Sequence, residues 1–206
     1  MPHPEDNIGL YILGFGGHSR TVADVAVSAG WKQIVFVDQN AKIDECFSSY
    51  STVKGLPKDP HSLWSAFPAA GDNSRRQRQI IDTAITFATL ISPSAKICLE
   101  AKVGIATLVS HGAYVGPAAL VGSGVILNTH SIIEHEAYIG DFTHISVNAV
   151  VAGRSKIGSN VFLGAGAVVI DSVTVCSDVV IGAGAVVTES IDEPGVYVGV
   201  PARRVK

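Results

Sequence analysis

From Ile91 to Val187 every sixth residue is aliphatic: Ile91, Ile97, Val103, Val109, Val115, Val121, Leu127, Ile133, Ile139, Ile145, Val151, Ile157, Leu163, Val169, Val175, Ile181 and Val187. The series holds 17 positions without exception or insertion. Two residues before each stands Ala, Ser, Thr or Val, from Thr89 to Ala185. A period of six suits neither an amphipathic helix nor an alternating strand. It matches the hexapeptide repeat of a parallel β-helix, in which three short strands make one triangular coil. Three hexads per coil predict nearly six coils, with the aliphatic residue and the small residue before it pointing inward. Glycine is common just after the aliphatic residue, as at Gly104, Gly116, Gly122, Gly140, Gly158, Gly164 and Gly182, where a tight corner is expected to need positive φ. Such prisms wind left-handed, an exception to the usual crossover rule. Their flat faces and open ends favour homotrimers with clefts between neighbouring prisms.

The first third of the chain follows other periods. Residues 8–14 read as a buried strand that runs into Gly14-Phe15-Gly16-Gly17-His18-Ser19. Val22, Val25, Ala26 and Val27 then have helical spacing, and Gly30 supplies a stop. Residues 33–38, Gln-Ile-Val-Phe-Val-Asp, read as a second strand ending on an acid. The result is a βαβ unit, half of a Rossmann-like fold. Residues 40–66 read as an irregular connection with a short helix around Ser62 to Ala66, and residues 74–86 as a helix. The fold class expected is therefore an α/β domain over 1–88 followed by an all-β left-handed parallel β-helix with a tail over 89–206.

Composition narrows the setting. A net charge of −3, a pI near 6.1 and the lack of a basic stripe argue against a nucleic-acid partner. Three scattered cysteines point to a reducing compartment rather than a disulfide framework. No basic region precedes an apolar run at the N-terminus, and no apolar stretch approaches a membrane span. A cytoplasmic protein without a membrane partner is expected.

Chemistry must come from residues that the repeat leaves unexplained. The glycine-rich turn offers backbone N–H groups and a helix N-terminus to a phosphate, with Asp38 available to a ribose or base. Ser19 stands at the third glycine position of the dinucleotide fingerprint, and the domain is half the size such a fold needs, so a nucleotide or nucleotide sugar suits it better than NAD. Ala70-Gly71-Asp72-Asn73, followed by Arg75, Arg76 and Arg78, could add polar ligand groups, although arginines on a helix face are more often solvated. The densest polar group on the prism runs from Asn128 through His130, Glu134, His135 and Glu136 to His144. His135 follows Ile133 by two and should project outward from a corner. The residue one coil of 18 above it is Gly153, whose bared N–H could stabilise an oxyanion. Glu136 could orient the imidazole and favour its charged form, and His144 lies outward on a face.

These segments resemble a known family. Gly14-Phe15-Gly16-Gly17-His18, Phe36-Val37-Asp38, Ala70-Gly71-Asp72-Asn73, Ile126-Leu127-Asn128-Thr129, Ile132-Ile133-Glu134-His135-Glu136, Phe142-Thr143-His144-Ile145-Ser146 and the ending Gly195 to Arg204 look like bacterial nucleotide-sugar acetyltransferases of the left-handed β-helix superfamily. Agreement is closest with the bacillosamine-pathway UDP-4-amino-sugar N-acetyltransferases; sialic acid O-acetyltransferases are related. The resemblance implies an acetyl-CoA-dependent, metal-free N-acetyltransferase acting on the C4 amine of a UDP-linked amino-deoxy sugar. In it His135 would be the general base and Glu136 its partner, with Asn128 and His144 lining the site. The Gly153 N–H would hold the thioester oxygen, and acetyl-CoA would lie near Gly158 and Ala183 between two subunits. Gly16, Gly17, His18, Asp38, Gln39, Asp72 and Asn73 would hold the nucleotide sugar. Gln39 departs from the pattern, which often has a second acid there. O-acetylation of sialic acid or another sugar is the alternative.

Two rivals come from other classes. His130 and His135, followed by Gly140, resemble two metal ligands of a hexapeptide-fold carbonic anhydrase, yet Ser94 occupies the third ligand's place and His111 is too near in sequence. A non-catalytic trimeric scaffold is the second.

Overall fold

The structure, a computed structural model, describes residues 9–58, 60 and 63–206. Ile8 of the expected first strand and Ser62 of the expected short helix lie outside them. The N-terminal unit opens with β1 (Gly9–Leu13), whose five residues are all buried. It continues into α1 (Gly17–Ser28), where Ser19, Val22, Ala23, Val25 and Ala26 form the inner stripe. Gly30 follows the end of this helix with φ +96°, a conformation that favours glycine. The strand β2 (Ile34–Val37) lies parallel to β1. A small antiparallel hairpin of β3 (Cys46–Phe47) and β4 (Tyr50–Val53) extends the sheet beyond β2, inside the stretch expected to be irregular.

One expected element is corrected. Residues 64–68 form a strand, β5 (Trp64–Pro68), parallel to β1, and not a helix. Ser65, Ala66, Phe67 and Pro68 are buried, so no alternation of polar and apolar residues marks the segment as a strand. The sheet order is β3-β4-β2-β1-β5. The helix α2 (Asn73–Ile81) follows, shorter than the expected 74–86, with Asp72 as its N-cap accepting the Arg75 N–H at 2.8 Å.

From Leu90 onward 17 short strands build the β-helix as three parallel sheets. Face I starts at Leu90–Ile91, face II at Lys96–Ile97 and face III at Lys102–Val103. Each strand pairs with the one 18 residues on, as Ile126 with His144 and Ile132 with Val150. From Val109 to Val187 all 14 aliphatic positions are buried, as the period requires; Ile91, Ile97 and Val103 are half-buried at the open first coil. At the other end the strand Gly195–Val198 joins face I, and Tyr197 and Ala202 help cover the core.

The corner glycines act differently from expectation. Positive φ recurs every sixth residue from Glu100 to Gly184, three after the aliphatic residue, as at His130, Glu136, Phe142 and Arg154. Gly104 and Gly140, one after it, are outside that region and are needed for space instead. A Cβ on either would lie 2.5–2.6 Å from backbone of the next coil.

The two units share a core. Leu90, Leu108 and Ile126, which point outward from face I, are at most 1% exposed because β1, α1 and β2 pack on them. Their counterparts on face III, Leu120 and Tyr138, are 43% and 46% exposed. Face I is thus the docking face of the α/β unit. His111 reinforces the joint, with Nε2 2.9 Å from Asp24 of α1 and Nδ1 2.7 Å from Ser92.

Candidate active site

The C-terminal ends of β1, β2 and β5 and the first turns of α1 and α2 enclose a cavity of about 420 Å³. Gly14, Gly16, Gly17, His18, Asp38 and Asp72 line it, as do Asn40, Glu45 and Arg75. The helix α1 starts on its wall without a side-chain cap, so its unpaired N–H groups and positive dipole end face the cavity beside the Arg75 cation, while α2 starts next to it capped by Asp72. A diphosphate fits that polarity. Ser19 accounts for the departure from the dinucleotide pattern: its hydroxyl accepts the Gly16 N–H at 3.2 Å and fixes the turn from inside. Asp38 accepts the Phe15 N–H at 3.1 Å and the Asn40 N–H at 2.9 Å, which ties β2 to the glycine turn. Gln39 is exposed and does not line the cavity; Glu45, brought in beside β3, supplies a second acid in its place.

Behind this cavity lies the joint with the prism. The His18 ring sits 6.0 Å from that of His144, and its buried Nε2 has no partner. His144 is 7% exposed: Nδ1 donates to the Gly71 carbonyl at 3.2 Å, Nε2 lies 3.3 Å from the Asn128 amide, and Phe162 meets the ring edge-on. Burial, aided by Arg76, pushes both histidines down to about 4, so both are neutral at pH 7. His144 is therefore covered by its own α/β unit and not offered freely to a cleft.

Arg76 holds the joint. Fully buried, it donates to the carbonyls of Gly124 at 2.6 Å, Phe142 at 2.7 Å and Ala70 at 3.1 Å, and to Asn73 Oδ1 at 2.7 Å. Burial lowers it to about 10, and it stays charged. Asn73, expected to contact the nucleotide sugar, instead spends its amide on Arg76 and on the Val161 carbonyl at 3.1 Å.

His135 stands elsewhere. It lies on the corner between faces II and III, opposite face I, with Nδ1 3.2 Å from Glu136 Oε2. The coil spacing does put Gly153 above it. A Cβ there would be 2.5 Å from both Cε1 and Nε2, so the ring fills the space that the glycine leaves. The Gly153 N–H has no acceptor among the described residues. One coil further, Asp171 is gripped by Arg154 at 2.8 and 2.9 Å and by the Ser172 hydroxyl at 2.6 Å. Sequence reading passed over Asp171, Arg154, Glu45 and the burial of Arg76. Only the spacing of 36 between His135 and Asp171, two coils, could have flagged the first.

One chain therefore holds two separate groups: Gly16, Gly17, His18, Asp38, Asp72, Asn128 and His144 around face I, and His135, Glu136 and Gly153 across the prism. Gly153, Gly158 and Ala183 fall on three different corners, so no single groove of one chain collects them. A Cβ on Gly158 would meet the Ser177 nitrogen at 2.5 Å, which assigns that glycine to coil stacking. His130 packs against Gly112 on the corner between faces I and II and does not converge with His135 on one ion.

Comparison with known proteins agrees with both halves. Residues 9–82 match the PglD N-terminal domain, and residues 136–171 and 154–189 match the bacterial transferase hexapeptide (six repeats). The acetyltransferase domain of PglB from Neisseria gonorrhoeae FA1090 superposes with a TM-score of 0.90 at 28% identity, covering 97% of this chain and 100% of that one. Its structure in complex with acetyl coenzyme A gives 0.87 over the same shares of both chains, also at 28%. A histidine-to-alanine mutant of GDP-perosamine N-acetyl transferase from Caulobacter crescentus, in complex with CoA and GDP-perosamine, gives 0.85 at 27% identity, covering 96% and 97%. No curated protein sequence matches the chain.

Proposed function

We propose that the chain, which joins a PglD N-terminal domain to bacterial transferase hexapeptide repeats, is a sugar N-acetyltransferase that moves acetyl from acetyl-CoA to the C4 amine of a UDP-linked amino-deoxy sugar. The observation that carries this reading is the seating of His135. Glu136 faces Nδ1, which leaves Nε2 as the lone-pair nitrogen, poised over Gly153 and its unbonded N–H. The amine attacks the thioester carbon as Nε2 takes its proton, and the Gly153 N–H holds the developing oxyanion. The C–S bond then breaks, and the thiolate receives the proton from His135. No covalent enzyme intermediate is required, since a deprotonated amine is itself a good nucleophile.

The α/β cavity is the seat of the nucleotide diphosphate, with Gly16, Gly17, His18 and Asp72 near the phosphates and Asp38 near the ribose or base. Because this cavity and His135 lie on opposite sides of one prism, the complete site is shared: the cavity side of one subunit meets the His135 corner of its neighbour in a homotrimer. Acetyl-CoA then lies in the groove between the prisms.

A GDP-linked acceptor is the second reading. Glu45 favours it, since a carboxylate at that wall would accept from the N1–H and N2–H₂ edge of guanine. The test is a screen of UDP- and GDP-linked 4-amino sugars and free sialic acid with acetyl-CoA, read by free-thiol release. Thiol release with a UDP-linked amino sugar is expected. Release with sialic acid alone would replace this reading by O-acetylation.

A further inference from the structure

Resting on the reading of the α/β cavity as the nucleotide seat, we propose that Gln79 is a binding and positioning residue for the nucleotide sugar. Its amide bridges the two turns that enclose the cavity and offers its remaining N–H to the diphosphate.

The sheet order puts β1 between β2 and β5, so the chain leaves β1 toward β2 and later returns past β1 to β5. Where connections depart to opposite sides of a strand, a crevice opens beyond the carboxyl ends, and ligands of open α/β sheets bind there. On the β2 side the ladder runs on, since the Gly14 N–H still bonds the Val37 carbonyl at 2.7 Å. On the β5 side it stops. Leu13 and Pro68 are the last residues in register, and the Ala69 N–H donates the final rung to the Leu13 carbonyl at 3.2 Å. Past that point one strand enters the glycine turn and the other the Ala70-Gly71-Asp72 turn, and both turns line the cavity.

Gln79 sits in this split. It follows Arg75 by one helical turn on α2, so the two share a side of the helix, and both line the cavity. Its Nε2 donates to the Leu13 carbonyl at 2.7 Å, and its Oε1 accepts the Ala70 N–H at 3.0 Å. A carbonyl on one side and an N–H on the other fix which end of the amide is nitrogen. The side chain thus adds a bridging rung where the backbone ladder ends. Arg76 holds the same peptide from the far side, donating to the Ala70 carbonyl at 3.1 Å. An amide nitrogen carries two hydrogens, and the second on Nε2 has no acceptor among the described residues. A Cβ on Gly14 would lie 3.9 Å from this nitrogen, which places it beside the glycine turn and the uncapped start of α1. With Arg75 on its own helix, it completes a set of donors around one anion.

The experiment titrates UDP and GDP into wild type, Gln79→Met, Gln79→Glu and Arg78→Gln by calorimetry. Thermal midpoints and steady-state thiol release with the accepted amino sugar are measured alongside. Gln79→Met keeps the length of the side chain and removes both bonds. It is expected to weaken nucleotide diphosphate binding about tenfold and to raise KM for the nucleotide sugar by a similar factor. With a binding role, kcat and the KM for acetyl-CoA stay near wild type. Gln79→Glu retains the acceptor for Ala70 but turns a carboxylate toward the Leu13 carbonyl and the diphosphate, so its loss should be at least as large. The loss should be alike for UDP and GDP, because the base takes no part. Arg78, exposed on α2 and outside the cavity, serves as the control, and Arg78→Gln should match wild type. Wild-type nucleotide affinity in folded Gln79→Met and Gln79→Glu, at any thermal midpoint, would reduce Gln79 to a structural tie and overturn the proposal. A fall in kcat with KM for the nucleotide sugar unchanged would overturn it as well. A wild-type protein that binds neither UDP nor GDP would instead overturn the nucleotide reading on which it rests.

Discussion

His135 and Gly153 divide one small volume between them, and that division can be tested one atom at a time. Gly153 is not among the residues with positive φ, so alanine suits its backbone. The added methyl would nevertheless lie 2.5 Å from the imidazole, which must swing away. A ring at the end of a flexible side chain moves at little cost to the fold, while in the proposed mechanism the displaced imidazole would lose its alignment with the amine. Gly153→Ala should therefore keep its thermal midpoint within a few degrees yet lose roughly 10–10²-fold in kcat/KM. Equal losses of stability and activity would show that the glycine serves packing alone. The stacking itself was legible in the sequence, since the unbroken period of six is a ruler on which His135 and Gly153 differ by one coil. The filling of the gap was not, because periodicity carries no side-chain orientation.

At the scale of elements, the joint between α2 and the prism depends on a guanidinium. Arg76 satisfies carbonyls at Gly124 and Phe142, from two different coils, as well as Ala70 and Asn73 in its own unit. Arg76→Met removes these donors and leaves the carbonyls buried and unpaired, at a cost on the order of 3 kcal/mol. Urea unfolding should show the loss, and limited proteolysis should release the prism from the α/β unit. A variant as stable and as protease-resistant as wild type would contradict this role. Nothing local announces it: Arg75, Arg76 and Arg78 read alike along a polar helix, and the carbonyls that bury one of them lie 48 and 66 residues away. The misreading of Trp64–Pro68 has a related origin. A strand enclosed on both faces lacks alternation, and a short run of Ser, Ala and Phe suits either element. The prism was readable because each hexad repeats the same local choice, whereas the α/β unit is decided by long-range pairing.

At the scale of the whole molecule, burying His18 and His144 between the units links stability to pH. Burial, with Arg76 nearby, lowers both to about 4 from an ordinary value of 6.5. Between those values the unfolded chain binds protons that the folded chain refuses, so stability falls as the pH drops from about 6.5 to about 4. The loss should amount to several kcal/mol for the pair. Urea midpoints at pH 7 and pH 4.5 measure it, and His144→Gln should flatten the slope; an unchanged slope in that variant would assign the acid sensitivity elsewhere. The same arrangement shapes function. The α/β unit covers face I and leaves the His135 corner free on the far side, so in the proposed function acceptor binding and chemistry would come together between copies of the chain.

The most direct measurement is steady-state thiol release from acetyl-CoA with a nucleotide-linked 4-amino sugar, comparing wild type with His135→Ala at matched thermal stability. The exposed position of His135, 43% accessible at its side chain, allows the truncation without harm to the core. A fall in kcat/KM of about 10²–10⁴-fold is predicted, the usual worth of a positioned base. Wild-type turnover by a folded His135→Ala protein would contradict the account.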